Sequence, residues 1–410
     1  MLYEFSVRNY GPFRDKAVLN LMSTKNTEHP DNVIRNRRNG NVLSSALIFG
    51  ANASGKSYIL NGIHALQNLL KSVDVRREGI HGYEPFRLSE ETLSMPTEFS
   101  ICLSAGEDLY RYTISFTAEK ISAESLVLVS RRDVEIFSRK DGEYSLSGCK
   151  DVTDKTSPTS AYLTVAASYN DELCYKVLSA ISDILCVDGD EISYSAYESY
   201  EYLKDHGSAM DVALDALKTA DFHVSSLRGE EQDLPKKLFD DNSEIVSHYE
   251  AIFSRLRTKL YLTHDYRSVP EELREFPLSI ESNGTRSMLG IIGPVAAALT
   301  EGKVLVIDEF GSCLHPMLTR WIVDLFKGDY NVKGAQMIVN THDIGLMDIQ
   351  NLVRRDQIYF VNKNWETGES EIYSLSDFKG VRKDTRVLDA YLFGRFDAVP
   401  NIISPRGRIS

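Results

Sequence analysis

Gly50-Ala51-Asn52-Ala53-Ser54-Gly55-Lys56-Ser57 is the stretch whose reading decides the fold. It fits G-x-x-x-x-G-K-[ST], the phosphate-binding P-loop pattern. Ala46-Leu47-Ile48-Phe49 reads as a short buried strand entering the loop, and beyond it Ile59, Ile63, Leu66 and Leu70 recur at helical spacing. A strand, a glycine-rich turn and a helix N-terminus together aim backbone N–H groups at an anion. Gly50, Asn52, Ala53, Ser54 and Gly55 would form that cradle. Lys56 would reach the β/γ-phosphates of a bound nucleotide, and the Ser57 hydroxyl would hold Mg2+.

The totals bound the rest. A chain of 410 residues has room for two or three domains, and 42% hydrophobic with 26% charged residues is a globular composition. Cys102, Cys149, Cys174, Cys186 and Cys313 form no C-x-x-C pair and no metal-ligand spacing, so they read as reduced thiols of a cytoplasmic protein. The opening Met1–Val7 alternates like a strand and has no signal-peptide pattern. The longest apolar run, near Ile291 to Leu299, is too short for a bilayer, so no membrane association is expected. The net charge of −13 argues against a general nucleic-acid binder. Yet 17 Asp/Glu against 5 Lys/Arg fall between Asp183 and Glu250, so the remainder is near neutral and direct DNA binding by a local surface stays open.

Taken in order, Leu2, Phe5 and Val7 alternate, Asn9–Phe13 turns, and Ala17–Leu21 forms a second strand. Arg35, Arg37 and Arg38 form a basic cluster that is either a solvated loop or a contact to phosphates. Thr97–Leu103, Leu109–Phe116 and Ser125–Val129 look like consecutive antiparallel strands, with a turn at Ala105–Asp108. A further hairpin turns at Lys140-Asp141-Gly142. Residues 171–262 look mainly helical; the best helix would carry Ile245, Tyr249, Ile252, Phe253, Leu256 and Leu260 on one face. The acidic, tyrosine-rich part, 183–241, is either a solvated helical lid or a docking surface for a basic partner. The expected fold class is α/β, with an N-lobe over 1–170 (P-loop and antiparallel β-subdomain), a helical insertion over 171–275 and a C-lobe over 276–410.

The C-lobe holds the remaining chemistry. Lys303–Glu309 is an apolar strand ending in two carboxylates, the Walker B form. Asp308 would hold Mg2+ opposite Ser57, and Glu309 would accept a proton from the attacking water or orient it. Gln336–His342 is a second strand, ending in a histidine placed to stabilise charge on a γ-phosphate. Glu281-Ser282-Asn283-Gly284-Thr285-Arg286-Ser287 is a small polar stretch, and a turn opening a helix would also produce it.

Together these residues resemble the ABC-type ATPase heads of the SMC-like and RecF-like kind. Ser282, Gly284 and Thr285 fall where that family's signature places Ser, Gly and a polar residue, while Glu281 and Asn283 depart from its usual Leu and Gly. His342 corresponds to its switch histidine, the D-loop follows Glu309, and Leu314-His315-Pro316 is similar to a motif of the overcoming-lysogenisation-like ATPases. No Q-loop glutamine is identified; Ala166-Ala167-Ser168 stands in its place with Ser for Gln. A narrower resemblance lies in Phe5–Phe13, Glu84–Leu88, Leu109–Tyr112 and Tyr391–Pro400, which look like the AAA_15 group. That group includes AriA of the PARIS anti-phage system, RloA and the ATPase of the AbiL pair.

The resemblance implies ATP and Mg2+ as cofactors and a slow ATP hydrolase. It implies a homo-oligomer, a dimer of heads at least and up to a hexamer, in which Ser282, Gly284 and Thr285 of one subunit close over ATP on another's P-loop. It also implies a sensor and scaffold of an anti-phage system, answering a phage-encoded trigger and controlling a separate Toprim nuclease effector. The alternative is a RecF/SMC-like DNA-repair or DNA-clamping ATPase.

Overall fold

The computed structural model describes residues 1–71, 80, 82–188, 192–220, 222–231, 258–266, 268–270, 274–400, 403–404 and 407–408. In chain order, β1 (Leu2–Arg8), β2 (Ala17–Asn20), β3 (Val33–Ile34) and β4 (Val42–Leu43) precede β5 (Ser45–Gly50), the P-loop and α1 (Lys56–Lys71). Then come β6 (Thr97–Ala105), β7 (Asp108–Phe116), β8 (Ile121–Val129), β9 (Val134–Lys140) and β10 (Glu143–Leu146). They are followed by α2 (Tyr162–Ser168), α3 (Glu172–Ser182), β11 (Leu185–Asp188), α4 (Ile192–Asp205), α5 (Gly207–Thr219), β12 (Val224–Glu231), β13 (Thr258–His264) and β14 (Glu275–Pro277). The last part holds α6 (Asn283–Glu301), β15 (Val304–Asp308), α7 (Pro316–Leu325), β16 (Gln336–Asn340), β17 (Ile358–Lys363), β18 (Ser370–Ser374) and α8 (Val387–Leu392).

The central sheet has six strands in the order β11-β15-β16-β5-β17-β18, parallel except for β18. Its inner strands β5, β15 and β16 are apolar on both faces, as parallel strands covered on both sides must be. Successive residues alternate between two cores. Ala46, Ile48, Val304, Val306 and Ile338 face the first, with α1 and a seven-stranded antiparallel sheet ordered β10-β9-β8-β7-β6-β1-β2. Leu47, Phe49, Leu305, Ile307, Met337 and Val339 face the second, with α4 to α7 and the C-terminal segment. This is the expected mixed α/β architecture with its antiparallel β-subdomain. The Ala105–Asp108 hairpin is present, and the next one turns at Asp141 and Gly142, both with positive φ, as such turns require.

Residues 171–262 depart from the mainly helical expectation. Helices α3, α4 and α5 are there, but β11 joins the central sheet by pairing in parallel with β15. Strands β12, β13 and β14 form a separate antiparallel sheet. Leu260 belongs to β13, where Leu260 and Leu262 are buried and Lys259 and Tyr261 point away, a period of two rather than 3.6. The rest of the expected helix, Ile245 to Leu256, lies outside the described residues. Helix α4 packs closely on α6: Ser199 Oγ donates to Gly290 O at 2.9 Å, and a Cβ on Gly293 would meet Ser199 at 2.5 Å, so only glycine permits the approach. Arg38 of the basic cluster pairs with Glu107 and Asp108 at the surface. Among the described residues no helix is long and apolar enough to cross a membrane.

Candidate nucleotide-binding site

Parallel strands converge their C-terminal ends on one edge of a sheet, where the loops that follow them meet. Here β5, β15 and β16 deliver the P-loop, Asp308-Glu309 and Asn340-Thr341-His342 to the same edge. A cavity of about 730 Å³ opens there, the size of a small-molecule site. Its lining includes Asn52, Ala53, Gly55, Lys56, Ser57, Glu309, Asn340 and His342.

The loop is built as a cradle. Gly50 has φ +158°, and a Cβ there would lie 2.3 Å from Val361 O. Gly55 has φ +105°, and its Cβ would lie 2.7 Å from Pro12 Cγ. Between them Ala53 is left-handed at φ 59°. Ser54 is buried, its Oγ has no hydrogen-bond partner within the protein, and its carbonyl accepts from Ser370 Oγ at 2.6 Å. Lys56 is buried and its ammonium donates to Gly50 O at 3.0 Å and Ala51 O at 2.9 Å. Burial pulls its pKa down, and the charges of Asp308 and Glu309 oppose that.

Ser57 Oγ donates to Asp308 Oδ1 at 3.0 Å. A hydroxyl and a carboxylate in contact are a donor set of hard oxygens, which suits Mg2+ held jointly with phosphate oxygens. The glycine-lined cradle, the buried Ser54 hydroxyl and Lys56 suit the phosphates themselves. Glu309 takes φ 51°, unusual for a residue with a Cβ. Its N–H donates to Asn340 Oδ1 at 2.6 Å and to Asp308 Oδ1 at 3.1 Å. His342 stands on the cavity wall with its pKa lowered, by partial burial first and by the Lys56 charge second. Asp343 accepts from Thr319 Oγ1 and from Gly345 N–H, which fixes the turn behind the histidine.

The structure therefore gathers the P-loop residues, Asp308, Glu309 and His342. It does not bring Ser282, Gly284 and Thr285 to them: none of the three lines the cavity. Ser282 is the exposed N-cap of α6, accepting from Thr285 N–H at 3.1 Å, with its Oγ 2.9 Å from Thr285 Oγ1. Glu281 departs from the signature pattern for a local reason, since its carboxylate meets the buried His264 of β13 at 2.8 Å. Ala166-Ala167-Ser168 lies in α2, packed into the first core, and Ser168 Oγ donates to Val165 O of its own helix, so this stretch lines no part of the cavity. Arg35, Arg37 and Arg38 do not line it either. Leu314-His315-Pro316 is a helix start: His315 Nδ1 caps Met317 N–H at 3.2 Å and Pro316 opens α7.

Sequence reasoning missed Asn340, whose amide bridges Ser57, Asp308 and Glu309. It also missed the outer half of the cavity, lined by Gly11, Pro12, Tyr58, Glu84–Leu88 and Lys363. The turn at Asn9–Phe13 and the Glu84–Leu88 stretch stood out only as family resemblance; here both reach the cavity. Tyr58 is hydrogen-bonded to Glu84, and burial first, then that carboxylate, pushes its hydroxyl pKa up.

Among solved structures, the chain is similar to the SMC head domain from Thermotoga maritima, at 15% identity and a TM-score of 0.42, covering 91% of this chain and 98% of that one. It is similar to an SmcHead bound to the C-winged helix domain of ScpA, at 12% identity and a TM-score of 0.49, covering 91% and 97%. It is also similar to an Smc head domain with an extended coiled coil, bound to the C-terminal domain of ScpA derived from Pyrococcus furiosus, at 12% identity and a TM-score of 0.38, covering 91% and 96%. No curated protein matches the sequence. A family model described as "AAA domain, putative AbiEii toxin, Type IV TA system" matches residues 45–348, a span that contains the P-loop, Asp308-Glu309 and His342 and stops short of Tyr391–Pro400. With well over half its length in that match, the chain belongs to the AAA_21 family.

Proposed function

We propose that this protein is an ABC-type ATPase that binds ATP with Mg2+ in the P-loop cavity and hydrolyses it slowly. Lys56 and the backbone cradle hold the phosphates, Ser57 and Asp308 hold the cation, Glu309 orients the attacking water, and His342 stabilises the charge that develops. The observation that carries this reading is the convergence of the P-loop, Glu309 and His342 on one cavity from three separate parallel strands, with Asp308 accepting from the cavity-lining Ser57. Ser282, Gly284 and Thr285, at the start of α6 where Ser282 is exposed and Thr285 is buried, complete the site from a second copy of the chain, so ATP sits at a subunit joint. The wider role is that of sensor and scaffold in an anti-phage system, holding a separate nuclease effector until a trigger arrives. The resemblance to anti-phage ATPases supports that role, and the family description, which names a toxin–antitoxin system, is in keeping with it.

Glu309→Gln tests the ATPase reading. The variant should bind ATP like the wild type, accumulate as a closed oligomer by size-exclusion chromatography with light scattering, and turn over at least ~100-fold more slowly, the scale of a lost general base. Turnover at the wild-type rate would remove Glu309 from the mechanism.

A further inference from the structure

Asn340 ends β16, and its side chain is buried at the centre of the site. The amide's orientation is set by its partners. Oδ1 accepts the Glu309 N–H at 2.6 Å, so Nδ2 faces the other way, where it donates to Asp308 Oδ1 and, at 3.4 Å, to Ser57 Oγ. Asp308 Oδ1 thus receives three donors at once: the Ser57 hydroxyl, the Asn340 amide and the Glu309 N–H. Asp308 and Ser57 are also the side chains whose oxygens suit a cation.

A carboxylate oxygen crowded by protons cannot at the same time offer those lone pairs to a metal. The amide is a rigid plane with its carbonyl on one edge and its NH2 on the other, so turning the NH2 away from Asp308 also draws Oδ1 off the Glu309 N–H. The surrounding backbone is fixed by other bonds, since Phe310 N–H donates to Asn340 O at 2.9 Å and Thr341 Oγ1 donates to Phe310 O at 2.8 Å. The Asn340 side chain is therefore the element that yields. Glu309 depends on it, because a left-handed residue bearing a Cβ costs about 1–3 kcal/mol and persists only where neighbours hold it.

We infer that Asn340 is a positioning residue that competes with Mg2+ for Asp308 and Ser57 and passes the outcome of that competition to the backbone of Glu309. The inference rests on the nucleotide reading above and adds to it a coupling between the metal ligands and the catalytic carboxylate.

The test uses the full chain and Mn2+ as the probe, titrated by electron paramagnetic resonance in the presence of ADP. Asn340→Ala removes the competing donor, so Mn2+ affinity should rise about tenfold, the scale of one hydrogen bond to a charged group. Its kcat should fall while its KM for ATP does not rise. A loss of Asp308 support through simple misfolding would move the affinity the other way. Unchanged or weaker Mn2+ binding overturns the inference. Asn340→Asp keeps an acceptor for the Glu309 N–H and replaces the donor with an oxygen facing Asp308. Its Tm without metal should fall below the wild type's and recover with Mn2+; a metal-free Tm equal to the wild type's is a second refutation. ADP binding by the wild type is measured first. Its absence sinks the nucleotide reading and this inference with it, whereas ADP binding with Mn2+ affinity indifferent to Asn340 sinks the inference alone.

Discussion

Substituting Gly284 tests the proposed subunit closure apart from folding. A Cβ at this position would meet only Cys313 O and Ser282 Oγ, both at 3.7 Å, which is ordinary contact. Gly284 lies in the first turn of α6, where replacing glycine gains up to about 1 kcal/mol of helix propensity. A glutamate there also suits the positive end of the helix dipole. Gly284→Glu should therefore leave the Tm unchanged or raised. It should leave ATP binding to the isolated P-loop unchanged as well, because Gly284 lines no part of that cavity. If the start of α6 closes over ATP on a second subunit, however, the new carboxylate is forced beside phosphate. Two like charges about 4 Å apart at an effective dielectric of ~20 repel by about 4 kcal/mol, so turnover should drop roughly a thousandfold. A coupled assay for released phosphate reads this directly. Mixing then tests the trans arrangement. Equal amounts of Gly284→Glu and Lys56→Ala subunits, allowed to exchange, form heterodimers as about half of all dimers, each with one intact site, so about a quarter of wild-type activity should return. Wild-type turnover by Gly284→Glu alone refutes the reasoning, and so does a mixture that stays inactive although its subunits exchange.

Two further outcomes follow from the same geometry. Lys56→Ala removes an ammonium that donates to Gly50 O and Ala51 O yet is penalised by burial. These effects oppose each other in the folded chain, so the Tm should move little, while ATP affinity, measured with a fluorescent analogue, should fall by ~100-fold or more for the lost charge-assisted contacts; unchanged affinity would end the P-loop assignment. His342 has a folded pKa below its ordinary 6.5, with burial as the main cause and Lys56 the second. The unfolded chain then takes up the proton more readily, so the stability tied to neutral His342 is present above pH 6.5 and is lost as pH falls through the lowered folded pKa. Urea melts across pH 5 to 8 should show this slope in the wild type, and His342→Gln should flatten it.

What could be read in the sequence was whatever is local in the chain. The P-loop is legible because eight consecutive residues carry it and the apolar patterns on either side name a strand and a helix. Asp308, Glu309 and His342 are legible because each stands at or just beyond the end of an apolar run, and a parallel sheet puts such ends together. Asn340 was not legible. Two residues before a histidine, an asparagine looks like any polar strand end, and its three contacts come from residues 31, 32 and 283 positions away. The outer cavity wall was hidden for the same reason: Pro12, Arg87 and Lys363 share a surface only after folding. Strand β13 was misread because its apolar residues are spaced to suit a strand, yet Leu256 and Leu260 also suit a helix, and a short run cannot decide between the two periods. Glu281 looked like a flaw in a signature until the fold set His264 beside it.

The register of the central sheet, on which the site depends, is set far from the site. Strands β5, β15 and β16 are apolar on both faces, so slipping any of them by one residue would exchange one core for the other without exposing apolar surface. The hydrophobic pattern alone therefore specifies register weakly here, unlike in a sheet with one wet face. Buried polar side chains at the opposite end of the strands supply what the pattern lacks. Gln336, the first residue of β16, accepts from Leu2 N–H at 2.6 Å and donates to Leu2 O at 2.9 Å and Leu43 O at 3.0 Å. Gln357, just before β17, donates to Ser45 Oγ at the start of β5 and accepts from Asn32 Nδ2, each at 2.7 Å. A slip of one residue, about 3.3 Å along a strand, would leave these fully buried amides unsatisfied at a cost of about 1–3 kcal/mol for each lost partner. The pairings Asn340 with Ile48 and Val361 with Gly50 at the far end then follow. Asn340 and the P-loop meet at the site because two glutamines at the other end of the strands tie β16 to Leu43, just before β5, and β17 to Ser45, the first residue of β5.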